Sequence, residues 1–195
     1  MSVWFTSDLH LGHARVTEDR GFATPDDHDK AIFDSILTNV RRGDQLWILG
    51  DLTVGGRGAE DRALCELNVF RNVTGIELHL IPGNHDSVHP MANRNSHNRL
   101  RAFLEVFESV QLFARRKIAR QTVLMSHFPY VGDHTEVDRG VKFRLQDDGD
   151  WLLHGHTHSG YTRDADSDRQ IHVGWDAWNK PVHLDWIAAE IESGH

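Results

Sequence analysis

Five short motifs rich in Asp, His and Asn constrain this 195-residue chain more than any other feature, because each closes an apolar, strand-like run. Asp8-Leu9-His10 ends the run that starts at Val3, and Gly50-Asp51 follows Gln45-Leu46-Trp47-Ile48-Leu49. Gly83-Asn84-His85-Asp86 follows residues 78–82, Ser126-His127 follows Val123-Leu124-Met125, and Gly155-His156-Thr157-His158 closes the run that begins at 150. The C-terminal ends of strands in an open α/β sheet face a common crevice, so pieces far apart in sequence meet there. Side chains alternate along a strand, which predicts that Asp8 and His10 project to one side and that His156 and His158 form a second pincer.

The remaining pattern fits that placement. Strands are expected at 3–8, 45–50, 77–82, 122–127, 150–155 and 170–174. Thr24-Pro25-Asp26-Asp27 supplies an N-cap, a proline at the first helical position and an acidic first turn. The helix that follows places Ile32, Ile36, Leu37 and Val40 on one face and is expected to stop at Arg41-Arg42-Gly43. Further helices are expected near 59–73, with Leu64, Leu67 and Phe70 inward, and near 97–107, with Leu100, Phe103, Leu104 and Phe107 inward. Residues 108–127 read as a meander of short strands, and the polar stretches 131–149 and 160–169 as loops beside a site. The expected architecture is α/β, a four-layer αββα sandwich of mixed sheets flanked by helices, in one domain spanning 1–195.

Composition excludes several classes. A formal charge of −8 argues against coating nucleic acid, which requires Lys and Arg to neutralise phosphates. The basic clusters Arg94, Arg99, Arg101 and Arg115, Arg116, Lys117 read as solvated faces, since no stacking aromatics interleave them. No apolar run approaches a bilayer-spanning length and the N-terminus has no signal-peptide pattern, so the chain is expected in the cytoplasm, without membrane contact. The lone Cys65, beside Leu64 and Leu67, is expected to pack in the core. Trp175 and Trp178 are likewise expected to pack.

Taken singly, each motif reads as a strand end or a turn. Together they supply enough carboxylate, amide and imidazole donors for two divalent ions, and no thiolate, which excludes a zinc finger. Mn is the first expectation, with Fe, Zn, Ni, Co and Mg as alternatives.

The series Asp-x-His, Gly-Asp, Gly-Asn-His-Asp, a lone His and Gly-His-x-His resembles the calcineurin-like metallophosphoesterases from residue 8 to 158. The ending Gly174-Trp175-Asp176-Ala177-Trp178-Asn179-Lys180-Pro181 is similar to their small bacterial and phage branch. The resemblance implies that Asp8, His10 and His158 hold a first metal, that Asn84, His127 and His156 hold a second, and that Asp51 bridges them. It makes His85 a substrate-facing residue that protonates or stabilises the leaving oxygen, with Asp86 orienting its ring. Substrate contacts are expected from His13, Asn84 and His85, while Arg15 stands where that branch suggests a neutral polar residue. His154, on the strand face of His156, is expected as a buried, hydrogen-bonded histidine.

The implied chemistry is attack on a phosphoryl group by a hydroxide held between two ions. A phosphodiesterase acting on small phosphodiesters such as cyclic nucleotides is the leading expectation. A phosphomonoesterase or phosphoprotein phosphatase is the alternative. A non-catalytic metal-binding scaffold is disfavoured, because His85 and the whole ligand set are retained.

Overall fold

The computed structural model describes residues 1–133, 135, 137, 139–163 and 168–194. Its elements, in chain order, are β1 (Val3–Thr6), α1 (Ala14–Asp19), α2 (Pro25–Asn39), β2 (Gln45–Ile48), α3 (Arg57–Thr74), β3 (Glu77–Leu80), α4 (Leu100–Leu104), β4 (Ser109–Val110), β5 (Phe113–Ile118) and β6 (Gln121–Ser126). They continue with β7 (Trp151–His154), β8 (Gln170–His172), α5 (Trp175–Trp178), β9 (Val182–His183) and α6 (Leu184–Ser193).

Two mixed sheets form, as expected. The first has the order β4-β3-β2-β1-β9, with only β9 antiparallel, and the second has the order β5-β6-β7-β8, with β5 antiparallel. Strand alternation divides the core in two. Leu46, Ile48, Leu78 and Leu80 face α2 and α3 and pack with Ile32, Ile36, Leu64 and Leu67. Phe5, Trp47 and Leu49 face the other way and meet Met125, Leu153 and Ile171 of the second sheet, with Ile187 and Ile191 of α6 in the same cluster. The parallel strands are thus buried on both faces, which explains their nearly continuous apolar runs.

Except for β6, which includes Ser126, the strands end before the motifs begin, and the chain then continues in register without a strand's pleat. Asp8 N–H donates to the Gly50 carbonyl at 3.0 Å and His10 N–H to the Asp51 carbonyl at 3.0 Å. Gly155 N–H donates to the His127 carbonyl at 3.0 Å, and a parallel bridge between Ser7 and Gly174 joins the ends of the two sheets. These links bring the five motifs to one rim.

Several expectations need correction. The Thr24 side chain caps α2 by accepting from Asp27 N–H, as predicted, but the helix ends at Asn39 and Val40 is already extended. Asp44 draws the chain away early, since its carboxylate accepts from the N–H groups of Ser2 and Arg41. Leu37 lies on the outer side of α2, 45% exposed. The helix expected near 97–107 is broken into a 3-10 turn, Ser96–Asn98, and the short α4, with Leu100 and Leu104 at the surface. Of the expected meander only β5 and β6 form a hairpin; β4 joins the first sheet beside β3. Cys65 is exposed on α3 rather than packed, because Ala63, Leu64 and Leu67 occupy the buried face. Among the described residues no helix is long and apolar enough to cross a membrane.

Candidate metal centre

The pincers arise differently from the strand alternation that predicted them. Asp8, His10, Asp51, His156 and His158 all have positive φ, between 48° and 69°. Left-handed backbone at non-glycine residues costs roughly 1–2 kcal/mol each, and such strain concentrates at functional sites. The motif glycines serve close approach. A Cβ at Gly83 would strike the Asp51 carboxylate, and one at Gly155 would strike the side chains of Ser7 and Asp8.

The expected ligands converge. Donor atoms of Asp8, His10 and His158 lie within 4.8 Å of one another, as do those of Asp8, Asp51 and His127. His158 Nε2 is 3.2 Å from His10 Nε2 and 3.8 Å from Asp8 Oδ1. Asp51 Oδ2 lies 3.5 Å from His127 Nε2 and 4.0 Å from His10 Nε2, between the two groups. Asn84 Oδ1 is 3.1 Å from His127 Nε2, and the His156 and His127 rings are 5.2 Å apart.

The chemistry of this donor set fits divalent cations. His127 Nδ1 is 2.7 Å from the Leu49 carbonyl, so that nitrogen carries a proton, and Nε2 faces the oxygens of Asn84 and Asp51. Three potential ligand atoms thereby meet at one point. His10 turns Nε2 toward His158 and Asp51, while its buried Nδ1 has no hydrogen-bond partner among the described residues. Burial and then the Asp8 charge push Asp51 well above the usual carboxylate range. Burial also holds His10 well below the usual imidazole value, and burial followed by His127 lowers His156 to about 3. Burial opposes ionisation of Asp8, yet His158, His127 and His10 hold it below the ordinary value. Burial also opposes a charge on His158, but its hydrogen bond to Asp176 and the Asp8 charge raise it to about 9, so the carboxylates here draw positive charge, which metal ions would supply.

A cavity of about 540 Å³ opens onto these residues. His13, Val16 and Arg20 line it from the α1 side, and His85 and Thr157 from the motif turns. His13 immediately precedes α1 without a side-chain cap bond, and its ring lies 5.7 Å from that of His10, beside the first motif. His85 is partly exposed, with Nε2 4.0 Å from Asp51 Oδ2. Burial, then His127, lowers its pKa, and the Val54 carbonyl bonds its ring. His154 is fully buried with Nδ1 2.8 Å from the Gly155 carbonyl, and Arg15 pairs with Asp19 in solvent.

Asp86 does not orient His85. Its buried carboxylate accepts from the N–H groups of Gly83 at 2.8 Å, Asp51 at 2.9 Å and Leu52 at 3.0 Å. The turn containing it folds against the Gly50-Asp51 turn, and those buried amides require an acceptor. Burial and the Asp51 charge push Asp86 up to about 7.

Three residues beside the centre had no role assigned from sequence. Asp176 Oδ2 lies 2.8 Å from His158 Nδ1, and Arg20 binds both oxygens of that carboxylate at 2.9 Å. Asp176 belongs to the C-terminal motif, which was the available signal; Arg20 carried none. Asp133, in the first of the two polar loops, places Oδ2 3.3 Å from His156 Nε2. Residues 134, 136, 138 and 164–167 of those loops lie outside the described residues.

The calcineurin-like phosphoesterase family model matches residues 1–160. The chain is 44% identical to the Gene 66 protein of Mycobacterium phage D29, covering 99% of this chain and 98% of the relative. It is 43% identical to the Gene 66 protein of Mycobacterium phage L5, covering 95% and 92%. A crystal structure of a protein of unknown function from Aquifex aeolicus superposes with a TM-score of 0.71 at 20% identity, over 96% of this chain and 98% of that one, a likeness of fold. With 160 of its residues matched by the family model, the chain belongs to the calcineurin-like phosphoesterases, metal-dependent hydrolases of phosphoric esters.

Proposed function

We propose that this chain is a phosphodiesterase for small phosphodiesters, cyclic nucleotides foremost, with Mn as its ion. The observation that carries the reading is the charge of the cavity wall. Among the described lining residues Arg20 is the one Arg or Lys, and its fork is committed to Asp176. A phosphodiester carries one negative charge, whereas a phosphomonoester carries nearly two at neutral pH and calls for additional cationic groups. The cavity volume also suits a small ligand, within the range of roughly 300–1,000 Å³ usual for such sites.

When bound, two divalent ions would activate water and neutralise charge on the phosphoryl oxygens. Asp8, His10 and His158 would hold one, Asn84, His127 and His156 the other, with Asp51 between them. The neutral His85 ring, anchored at the Val54 carbonyl, leaves Nε2 toward the site. Approach of an anionic phosphoryl group favours the protonated ring, which then gives its proton to the leaving oxygen. His13 lines the cavity beside α1, where it would orient the substrate.

The test is a comparison of bis-p-nitrophenyl phosphate with p-nitrophenyl phosphate on Mn-loaded protein, followed by a panel of cyclic nucleotides. The diester is expected to be preferred in kcat/KM by at least about tenfold. Preference for the monoester overturns the assignment and favours phosphomonoesterase activity. Hydrolysis that survives Asp51→Asn would point away from the site altogether.

A further inference from the structure

Behind the first group of ligands lies a continuous chain of charged and polar side chains, buried at Arg20, His28 and Asp29 and partly exposed at Asp176. Asp176 touches His158 Nδ1 at 2.8 Å and is gripped by Arg20. Arg20 also donates to the Asp8 carbonyl at 2.8 Å and the Leu9 carbonyl at 3.3 Å, and its third nitrogen contact is His28 Nε2 at 2.9 Å. His28, fully buried, places Nδ1 2.9 Å from Asp29, and Asp29 accepts from Gly12 N–H through both oxygens, at 3.0 and 2.9 Å. The segment from Asp8 to Gly12 is thereby held at both ends, and the ring of His158 at its rear nitrogen.

A buried ion pair contributes little net stability, since desolvation offsets attraction. The Arg20 side chain is only 7% exposed, so stability alone gives no reason to place it there. Its contacts do: they hold Asp176, which orients His158, and the carbonyls of Asp8 and Leu9 in the first motif, with His28 closing the group from behind. His127 and Asp51 have separate supports, while His156 N–H donates to the Asp8 carboxylate at 3.0 Å. His127 is oriented by the Leu49 carbonyl, and the Asp51 turn is held by Asp86.

We propose that Arg20 and Asp176, backed by His28 and Asp29, are positioning residues that build the first metal position, so that loss of the Asp176 carboxylate empties that position and leaves the second loaded. Resting on the two-ion reading, this inference adds an asymmetry to it. Asp176 fixes the tautomer that turns His158 Nε2 toward the ion, and Arg20 fixes Asp176 together with the backbone of Asp8 and Leu9.

The experiment loads full-length wild-type, Asp176→Ala, Asp176→Asn and Arg20→Ala proteins with Mn. It then measures Mn per folded chain, the Mn affinity of each position, and the electron paramagnetic resonance signal. Wild type is expected to bind two Mn and show the signature of a magnetically coupled pair. Asp176→Ala and Arg20→Ala are expected to bind one Mn with an isolated-ion spectrum, and Asp176→Asn to lose about 10–100-fold affinity at one position only. Folding is checked by circular dichroism, and Asp176→Asn, close in shape to the native residue, decides the matter where an alanine variant does not fold. Two coupled ions at wild-type affinity in folded Asp176→Asn overturn the proposal, as does equal loss of both ions. A wild type that binds fewer than two Mn instead overturns the two-ion reading beneath it.

Discussion

Positive φ at five of the seven expected ligands sets the terms at the residue scale. The Asp8-Leu9-His10, Gly50-Asp51 and Gly155-His156-Thr157-His158 motifs turn sharply away from their strands, and the turn aims the side chain that a pleated strand would have sent elsewhere. Close packing of these turns makes small changes costly. Gly155→Ala forces a methyl group against Ser7 and Asp8, and urea denaturation is expected to show a loss of at least ~1–3 kcal/mol. His85 differs from its neighbours in standing partly exposed above the cluster. His85→Ala is expected to lower kcat by about 10²–10⁴-fold while metal content by mass spectrometry stays unchanged; lost metal would instead make His85 a ligand. Residue identity was legible in the sequence, and the short spacings within motifs carried it. Two misreadings, the strand-like pincers and the role of Asp86, came from inferring direction from spacing alone. Where a side chain points depends on φ and on which buried amides lack an acceptor.

At the scale of elements, the long helices α2 and α3 and the six expected strands formed near where expected, whereas the helix expected near 97–107 broke up. α2 and α3 have enough apolar positions to fix their faces, whereas α1, α4 and α5 span few residues and are held by contacts made elsewhere. Arg99, for example, joins the α4 region to Glu60 of α3 at 2.8 Å, and Glu60 in turn accepts from Ser87 N–H at 2.7 Å beside the Asn84-His85-Asp86 turn. The β5–β6 hairpin offers a test free of the site. Its two-residue loop, Ala119-Arg120, has positive φ at both positions, a conformation that Asn-Gly adopts with far less strain. The double change Ala119→Asn, Arg120→Gly is expected to raise unfolding free energy by about 1 kcal/mol without altering hydrolysis, measured by urea denaturation alongside an activity assay.

The whole molecule responds to pH through histidines that folding keeps neutral. His89 is buried against Phe128 and Phe143, and its Nδ1 accepts from Met91 N–H at 3.0 Å. Burial and then His127 lower its pKa from 6.5 to about 4. Between those values the unfolded chain binds more protons than the folded one, so stability is greatest above pH 6.5 and declines as pH falls toward 4. Between pH 7 and 5 the His89 contribution is expected to cost about 1 kcal/mol after solvent screening. Urea midpoints of wild type and His89→Asn, compared at both pH values, check this; parallel declines would remove His89 as the cause. At this scale too the sequence and the tertiary structure divide the explanation. The sequence by itself determined the mixed α/β class, the order of the motifs and the donor types, because apolar periodicity and ligand chemistry are properties of short segments. Only the tertiary structure decided that Asp8, Asp51 and His127 share one point, that Asp86 serves backbone amides, and that Arg20 and Asp176, 156 positions apart, stand behind His158. Those facts depend on how two sheets meet at Ser7 and Gly174, a contact between distant strand ends that no local pattern encodes.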